Sequence, residues 1–173
     1  MLAPTGTRIV GDSARLRESQ AMALRLVQFL AIVLTALALV PSGAHFAALP
    51  NKMAMEQTDY FLAQQVYNGW ALFGIVLFGA LLANLAHAIV LRKLGRSFGY
   101  ALASLLFIAA SLVIFLVWTF PTNQATSNWT VVPKNWNELR SQWEYSHAAT
   151  AMMTFAALVC VVIAVLRQPP QAR

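Results

Sequence analysis

Residues 100–120 are YALASLLFIAASLVIFLVWTF, a run without a charged side chain. Three other runs are similarly long and apolar: Leu24 to Val40, Trp70 to Leu91 and Ala148 to Leu166. A helix of roughly 20 apolar residues spans the hydrocarbon of a bilayer. The backbone in that layer must bond within its own segment, and the runs are too continuous for barrel strands. The sequence predicts an all-α, four-helix transmembrane bundle, with helices at about 22–48, 53–92, 98–120 and 136–167.

The composition agrees with a membrane protein, since 59% of the residues are hydrophobic and only 10% are charged. That leaves too little polar surface for a globule in water. The first run precedes Pro41-Ser42-Gly43-Ala44, which resembles a signal-peptide cleavage region. Its lead-in is too long for a signal peptide, so we expect the run to be kept as a helix.

The basic residues predict the orientation of the bundle, because Lys and Arg collect on the cytoplasmic side. We therefore expect a bacterial cytoplasmic-membrane protein with a flexible cytoplasmic leader at 1–20, a membrane domain at 21–168 and a cytoplasmic tail at 169–173. The net charge of +6 suits lipid headgroups rather than nucleic acid, since no groove-sized patch is present. The residues on the predicted inner side are Arg8, Arg15, Arg17, Arg25, Arg92, Lys93, Arg96, Arg167 and Arg173, against Lys52, Lys134 and Arg140 outside.

Helices 2 and 4 are predicted to extend beyond the membrane. Residues 52–67 contain neither Gly nor Pro and carry apolar residues at helical spacing. Asn135 followed by Glu138 resembles a helix cap with its reciprocal acid, so the fourth helix should begin near Trp136. We expect both extensions to form an extracytoplasmic cap over the bundle.

One face of the fourth helix should carry Trp136, Arg140, Trp143 and His147, spaced i, i+4, i+7 and i+11, with Glu144 beside His147. His45 ends helix 1, Tyr67 lies in the outer part of helix 2 and Asn123 in the loop after helix 3. All three lie on the same side, which predicts one outward-facing pocket. Simpler interpretations remain open: an interfacial tryptophan belt, a surface Arg140–Glu144 pair and interfacial histidines. The site residues in question are His147, Arg140, Glu144, Asn123, His45, Trp136, Trp143 and Tyr67.

Metal and thiol chemistry have little support in the sequence. Cys160 is the only cysteine, so no disulfide or thiolate cluster can form within one chain. A single metal held by His45, His147 and one of Glu144, Glu56 or Asp59 is an alternative, because two histidines and a carboxylate bind non-haem iron.

His87 and Asn84 lie a membrane thickness from these residues, near the cytoplasmic end of helix 2. We interpret His87 as interfacial.

Four motifs carry a family resemblance: WTFPTN at 118–123, NW at 128–129, PxNW at 133–136 and LRxxWxxxH at 139–147. With them the chain resembles the anthrone oxygenase-like family of four-helix membrane proteins, many of unknown function. What the resemblance implies is oxygenation of a polycyclic phenolic substrate, an activity of some members of the family, without bound metal or flavin. The positions that match the family's polar pattern are His45, Asn123, Arg140 and His147.

The leading hypothesis is a membrane oxidoreductase or small-molecule-binding protein. His147, tuned by Glu144, would act as general base, and Arg140 and Asn123 would stabilise the developing oxyanion. Trp136, Trp143 and Tyr67 would contact a flat substrate. The alternative hypothesis is a non-catalytic accessory subunit of a larger membrane complex, with the cap as its docking surface.

Overall fold

A computed structural model describes residues 6–94 and 97–168 of the chain, with side chains from residue 15 onward. Six α-helices and no strand lie in these residues. Two short 3-10 turns (Gln65–Tyr67 and Trp70–Leu72) and a π-helical turn (Phe115–Thr119) connect some of them. The helices are α1 (Gly6–Met53), α2 (Gln57–Gln64), α3 (Phe73–Leu94), α4 (Phe98–Ile114), α5 (Phe120–Ala125) and α6 (Trp136–Leu166).

Four segments are long and apolar enough to cross a membrane: Arg15–Met53, Trp70–Leu94, Phe98–Ala125 and Trp136–Leu166. Helix α1 packs against α3 and α6, and α4 packs against the same two helices, so the four form a ring. Large apolar side chains cover the outer surface of the ring, which suits contact with lipid rather than water. They include Leu26, Phe29, Ile75, Leu82, Val113, Met152 and Phe155.

A buried polar junction joins all four long helices. The Asn84 amide of α3 donates to Thr35 Oγ1 of α1 at 2.9 Å. The Ser104 hydroxyl of α4 lies 2.6 Å from Asn84 Oδ1 and 2.9 Å from the Ala157 carbonyl of α6. Asn84 and the nearby His87 are both fully buried among the helices. That His87 lies at the membrane interface stays a prediction, because burial between helices does not give depth in the bilayer. Buried polar groups hold helices together in lipid because no water competes for their hydrogen bonds.

The first helix is longer than predicted at both ends. Helix α1 is already formed at Gly6, whereas a flexible leader was expected up to residue 20. Good helix formers such as Ala14, Leu16 and Glu18 explain the extension. At the other end the helix passes Pro50 and ends at Met53, although a proline removes one N–H from the ladder and crowds the carbonyl four residues before it. The predicted leader before residue 6 and the tail from 169 lie outside the described residues.

The second predicted helix, 53–92, is wrong as a single element. The chain leaves α1 after Met53, forms the short helix α2, and breaks again at Asn68 and Gly69 before α3 begins. Gly69 has a φ of 85°, a backbone conformation that side chains disfavour, which explains the second break. Within this stretch Met55, Tyr60 and Phe61 contact the first turns of α6. We call this end of the bundle, residues 54–72 and 120–136, the aromatic end.

The helix after α4 also continues beyond its predicted end at residue 120. A π-helical turn at Phe115–Thr119 leads directly into α5. Pro121 has no N–H to donate backwards, and a wide turn accommodates that missing bond. Asn123 therefore lies on a helix, not in the loop where the sequence placed it.

The connection from α5 to α6 contains three consecutive residues with left-handed backbone: Ser127, Asn128 and Trp129, with φ of 48°, 56° and 64°. Such a conformation costs roughly 1–2 kcal/mol per residue. It is held by a bond from the Asn128 N–H to the Asn123 carbonyl at 2.7 Å and by the buried Trp129 ring.

Helix α6 begins at Trp136 as predicted, but Asn135 makes no side-chain cap. Its backbone (ψ 29°) is outside the extended region that capping requires.

Candidate functional site

A cavity of about 730 Å³ opens at the aromatic end of the bundle. Small-molecule sites have volumes of roughly 300–1,000 Å³. Its polar wall comes from α1, α5 and α6, and the two irregular segments 64–71 and 127–130 border it. The rest is apolar or aromatic. The predicted site residues that line it are His45, Tyr67, Asn123, Trp143 and His147.

Two imidazoles stand at the centre of this wall. His45 of α1 and His147 of α6 have ring centroids 4.3 Å apart. Trp143 contacts both rings, at 4.6 Å from His45 and 4.2 Å from His147, and Tyr67 lies 4.2 Å from His45. Because histidines come together from two helices and lie among aromatic faces, the wall can bind a flat molecule and exchange protons with it.

Lys52 lies directly behind His45, away from the cavity. Its Nζ is 3.2 Å from His45 Nδ1 and 2.6 Å from Glu144 Oε1. It also lies 4.6 Å from the centre of the Trp143 ring and 4.8 Å from that of Tyr67. Aromatic faces attract a cation, and a carboxylate neutralises it. The environment therefore suits a charged ammonium that donates hydrogen bonds.

Glu144 is shared between Lys52 and Tyr60. The Tyr60 hydroxyl donates to Glu144 Oε1 at 2.9 Å. Burial, followed by the Glu144 charge, raises the pKa of the Tyr60 phenol well above its usual range, so it stays a donor. The same two causes raise the pKa of Tyr67. The second oxygen of Glu144 is buried without a partner in the described part of the chain.

Helix geometry explains how these groups meet. His45 and Lys52 are seven residues apart on α1, two turns, and so share one face. Trp143, Glu144 and His147 occupy adjacent positions of α6, where i and i+3 or i+4 side chains are neighbours. Since α1 packs against α6, the two faces complete one cluster.

The predicted pairing of Glu144 with His147 is not what the structure contains. Glu144 bonds to Lys52 and Tyr60, and Lys52 in turn contacts His45. Glu144 therefore acts on His45 through an ammonium. The two side chains leave α6 in different directions. The Glu144 carboxylate points toward α1 and α2, whereas His147 points into the cavity.

Arg140 was predicted to contact the developing oxyanion and Trp136 the substrate, but neither residue lines the cavity. Arg140 Nη1 donates to the Met55 carbonyl at 2.7 Å, and Nη2 donates to Asn137 Oδ1 at 2.6 Å. Its guanidinium lies 4.7 Å from the centre of the Trp136 ring. The break after α1 creates the free Met55 carbonyl that Arg140 binds, so this side chain anchors the 54–56 turn.

Asn123 joins the cavity wall through Trp143. The Trp143 Nε1–H donates to Asn123 Oδ1 at 2.7 Å, which fixes the indole plane. The Asn123 amide nitrogen makes no hydrogen bond within the part of the chain that the structure describes. Asn123 is thus both a lining residue and a support for Trp143.

The metal alternative does not fit this arrangement. No group of three His, Cys, Asp or Glu suited to holding a metal occurs among the described residues. The Lys52 ammonium already lies between His45 and Glu144, where a cation bound by both would have to sit.

Sequence reasoning missed Lys52 and gave Tyr60 no specific role. Lys52 was placed beyond the first helix, at the start of the predicted outward extension of helix 2, and was counted only as an outer basic residue. Its spacing of seven from His45 was the available signal, but it has meaning only if α1 continues past Pro50. Tyr60 gave no signal, since its contact with Glu144 joins residues 84 apart in the chain.

Comparison of the chain with protein-family models, with curated proteins and with solved structures gave no match.

Proposed function

We propose that this chain is a membrane protein that binds a flat aromatic molecule with a phenolic or ketone oxygen, and that it oxygenates that molecule. The observation that carries the proposal is the cavity wall in which His45 and His147 lie 4.3 Å apart beside Trp143. The aromatic side chains that line the cavity favour a planar ring system, and two imidazoles provide a proton acceptor and a proton donor. The resemblance to anthrone oxygenases independently suggests the same substrate class.

The apolar part of the cavity supports a lipophilic ligand. Phe73 and Phe78 of α3 and Phe115 and Phe120 from the opposite side line it. Phe78 and Phe120 are 54% and 44% exposed on the outer surface of segments that can lie in the bilayer. A ligand dissolved in lipid would thus meet the cavity from the side, between α3 and the π-helical turn.

The chemistry needs only molecular oxygen as co-reactant. His147 accepts a proton from the carbon opposite the ketone of an anthrone, and the electron pair spreads onto the ketone oxygen, which His45 contacts. The carbanion reduces O2 and, with the proton from His147, gives a hydroperoxide. Loss of water leaves a quinone. One anthrone and one O2 thus give one quinone and one water. A positioned base contributes about 10²–10⁴-fold to such a rate.

The test uses the purified chain in lipid nanodiscs with a dihydroxyanthrone and, separately, its quinone. Oxygen uptake and quinone absorbance report turnover, and tryptophan fluorescence reports binding. We expect His147→Gln to lower turnover about 100-fold or more. Quinone affinity should change by less than about threefold. Trp143→Phe should weaken binding, whereas Trp118→Phe, at an exposed position away from this cavity, should not.

The outcomes separate the parts of the proposal. Binding without turnover would reject the oxygenation and keep the ligand class. Failure of both compounds to bind would reject the whole proposal. A stoichiometric partner that inserts its own side chain into the cavity would replace it with the accessory-subunit function.

The proposed orientation has both termini in the cytoplasm and the aromatic end outside, because the basic residues favour that side. Cysteine labelling tests it in a Cys160→Ser background. Gln124→Cys should react with an impermeant reagent from outside the cell, and Lys93→Cys only from inside. The reverse pattern would overturn the orientation and leave the ligand proposal untouched.

A further inference from the structure

The contact between Lys52 and His45 has a consequence for the ligand. The Lys52 ammonium is 2.6 Å from the Glu144 carboxylate and lies over the Trp143 and Tyr67 rings. Both neighbours favour its positive charge. An ammonium carries donors and no acceptor, so His45 Nδ1, at 3.2 Å, has to be the acceptor of this contact.

A neutral imidazole that accepts at Nδ1 carries its proton at Nε2. His45 and Lys52 are both almost fully buried, but only His45 lines the cavity. The group that His45 can offer to a ligand is therefore an N–H donor. His147 makes no side-chain hydrogen bond among the described residues, so nothing fixes its tautomer in the same way, and it can serve as the base.

We infer that Lys52 is a positioning residue that fixes His45 as a hydrogen-bond donor, and that the site therefore takes ligands presenting an acceptor oxygen, an aryl ketone or phenolate, to His45. The ligand part rests on the proposed function; the tautomer part does not. Glu144 and Tyr60 support this role of Lys52. The Glu144 carboxylate, which accepts a hydrogen bond from Tyr60, keeps the ammonium charged and in place.

The tautomer is measured by NMR of the ligand-free protein labelled with nitrogen-15 histidine. The chain has only 3 histidines, so His45 can be assigned by comparison with single histidine variants. We expect the His45 proton on Nε2 in the unmodified chain. In Lys52→Met the proton should lie on Nδ1, or the two tautomers should be mixed. In Lys52→Arg, which keeps a cationic donor, the proton should stay on Nε2. Lys93→Met, at an exposed position, is the matched control.

The ligand arm compares anthraquinone with anthracene, which has the same ring system and no oxygen to accept a hydrogen bond. A site built to donate to an oxygen should prefer the ketone by about tenfold or more. Lys52→Met should reduce this ratio toward one, while Lys93→Met should leave it unchanged.

A His45 proton on Nδ1 in the unmodified chain would overturn the inference, and that spectrum needs no variant to fold. An unchanged tautomer in Lys52→Met would also overturn it. Equal binding of the two compounds would reject the ligand restriction. If the tautomer is as inferred and neither compound binds, the proposed function fails and the assignment of His45 as donor stands.

Discussion

Lys52 of α1 and Glu144 of α6 form a salt bridge with Nζ 2.6 Å from Oε1, and their side chains are only 3% and 0% exposed. The pair joins the last turn of α1 to the part of α6 beneath the cavity. Because neither group reaches water, each depends on the other for its charge.

Removing one member of this pair should destabilise the protein strongly. Glu144→Gln leaves the ammonium without its carboxylate, and we expect the free energy of unfolding to fall by about 3 kcal/mol. The double variant Lys52→Met/Glu144→Gln should lose clearly less than the sum of the two single changes. Denaturant unfolding in detergent measures both. Glu138→Gln, at an exposed position of the same helix, should be nearly neutral; a similar loss in both Glu variants would contradict this account.

Tyr60 should make the protein sensitive to high pH. Burial and the Glu144 charge raise the pKa of its phenol in the folded state, whereas the unfolded chain ionises near pH ~10. Above that value the unfolded state loses protons that the folded state keeps. Stability should therefore fall by up to about 1.4 kcal/mol per pH unit from this group. Tyr60→Phe should flatten the alkaline part of the stability curve, and Tyr145→Phe, at an exposed position, should leave it as it is.

Arg140 should matter for stability rather than for the ligand. Its bond to the Met55 carbonyl and its contact with Trp136 hold the 54–56 turn. We expect Arg140→Ala to cost about 2 kcal/mol in unfolding, because a charged hydrogen bond is lost. Quinone affinity of the folded fraction should change less than about threefold. Arg92→Ala is the exposed control. If Arg140→Ala instead lowered the quinone affinity strongly and left stability unchanged, Arg140 would have to be counted as a ligand-binding residue.

The buried hydrogen bonds of Asn84 should stabilise the whole helix bundle. Asn84→Ala removes the bonds to Thr35 and Ser104 at once, and hydrogen bonds of this kind in membranes contribute about 0.5–2 kcal/mol. We expect a lower unfolding temperature in detergent and an unchanged His45 tautomer, because the junction lies away from Lys52. Asn51→Ala, at an exposed position of α1, should have little effect.

Substitutions of Asn128 should change stability according to how well the new residue tolerates a left-handed backbone. With φ of 56°, Asn128→Val should destabilise by about 1–2 kcal/mol, since a β-branched side chain clashes in that conformation. Asn128→Gly should be neutral or slightly stabilising. Equal effects of Val and Gly in unfolding experiments would mean that this backbone conformation is not populated.

The sequence alone determined the fold class, because lipid leaves few solutions. A run such as residues 100–120 has no charged side chain and must satisfy its backbone internally, so it can only be a helix. Four such runs specify four candidate spans. The start of α6 at Trp136 and the face of Trp143 and His147 also followed from local spacing, because helical periodicity is a property of the chain itself. His45 and Asn123 could be assigned to the same end by counting spans.

Only the tertiary structure decided which of these residues form a site. Whether α1 continues past Pro50, and so turns Lys52 toward His45, depends on packing against α6 and not on local propensity. The partner of Glu144 likewise depends on how α6 is rotated about its axis relative to α1 and α2, which residue spacing does not specify. Contacts between residues far apart in the chain, such as Tyr60 with Glu144, are fixed by the free energy of burying both groups together.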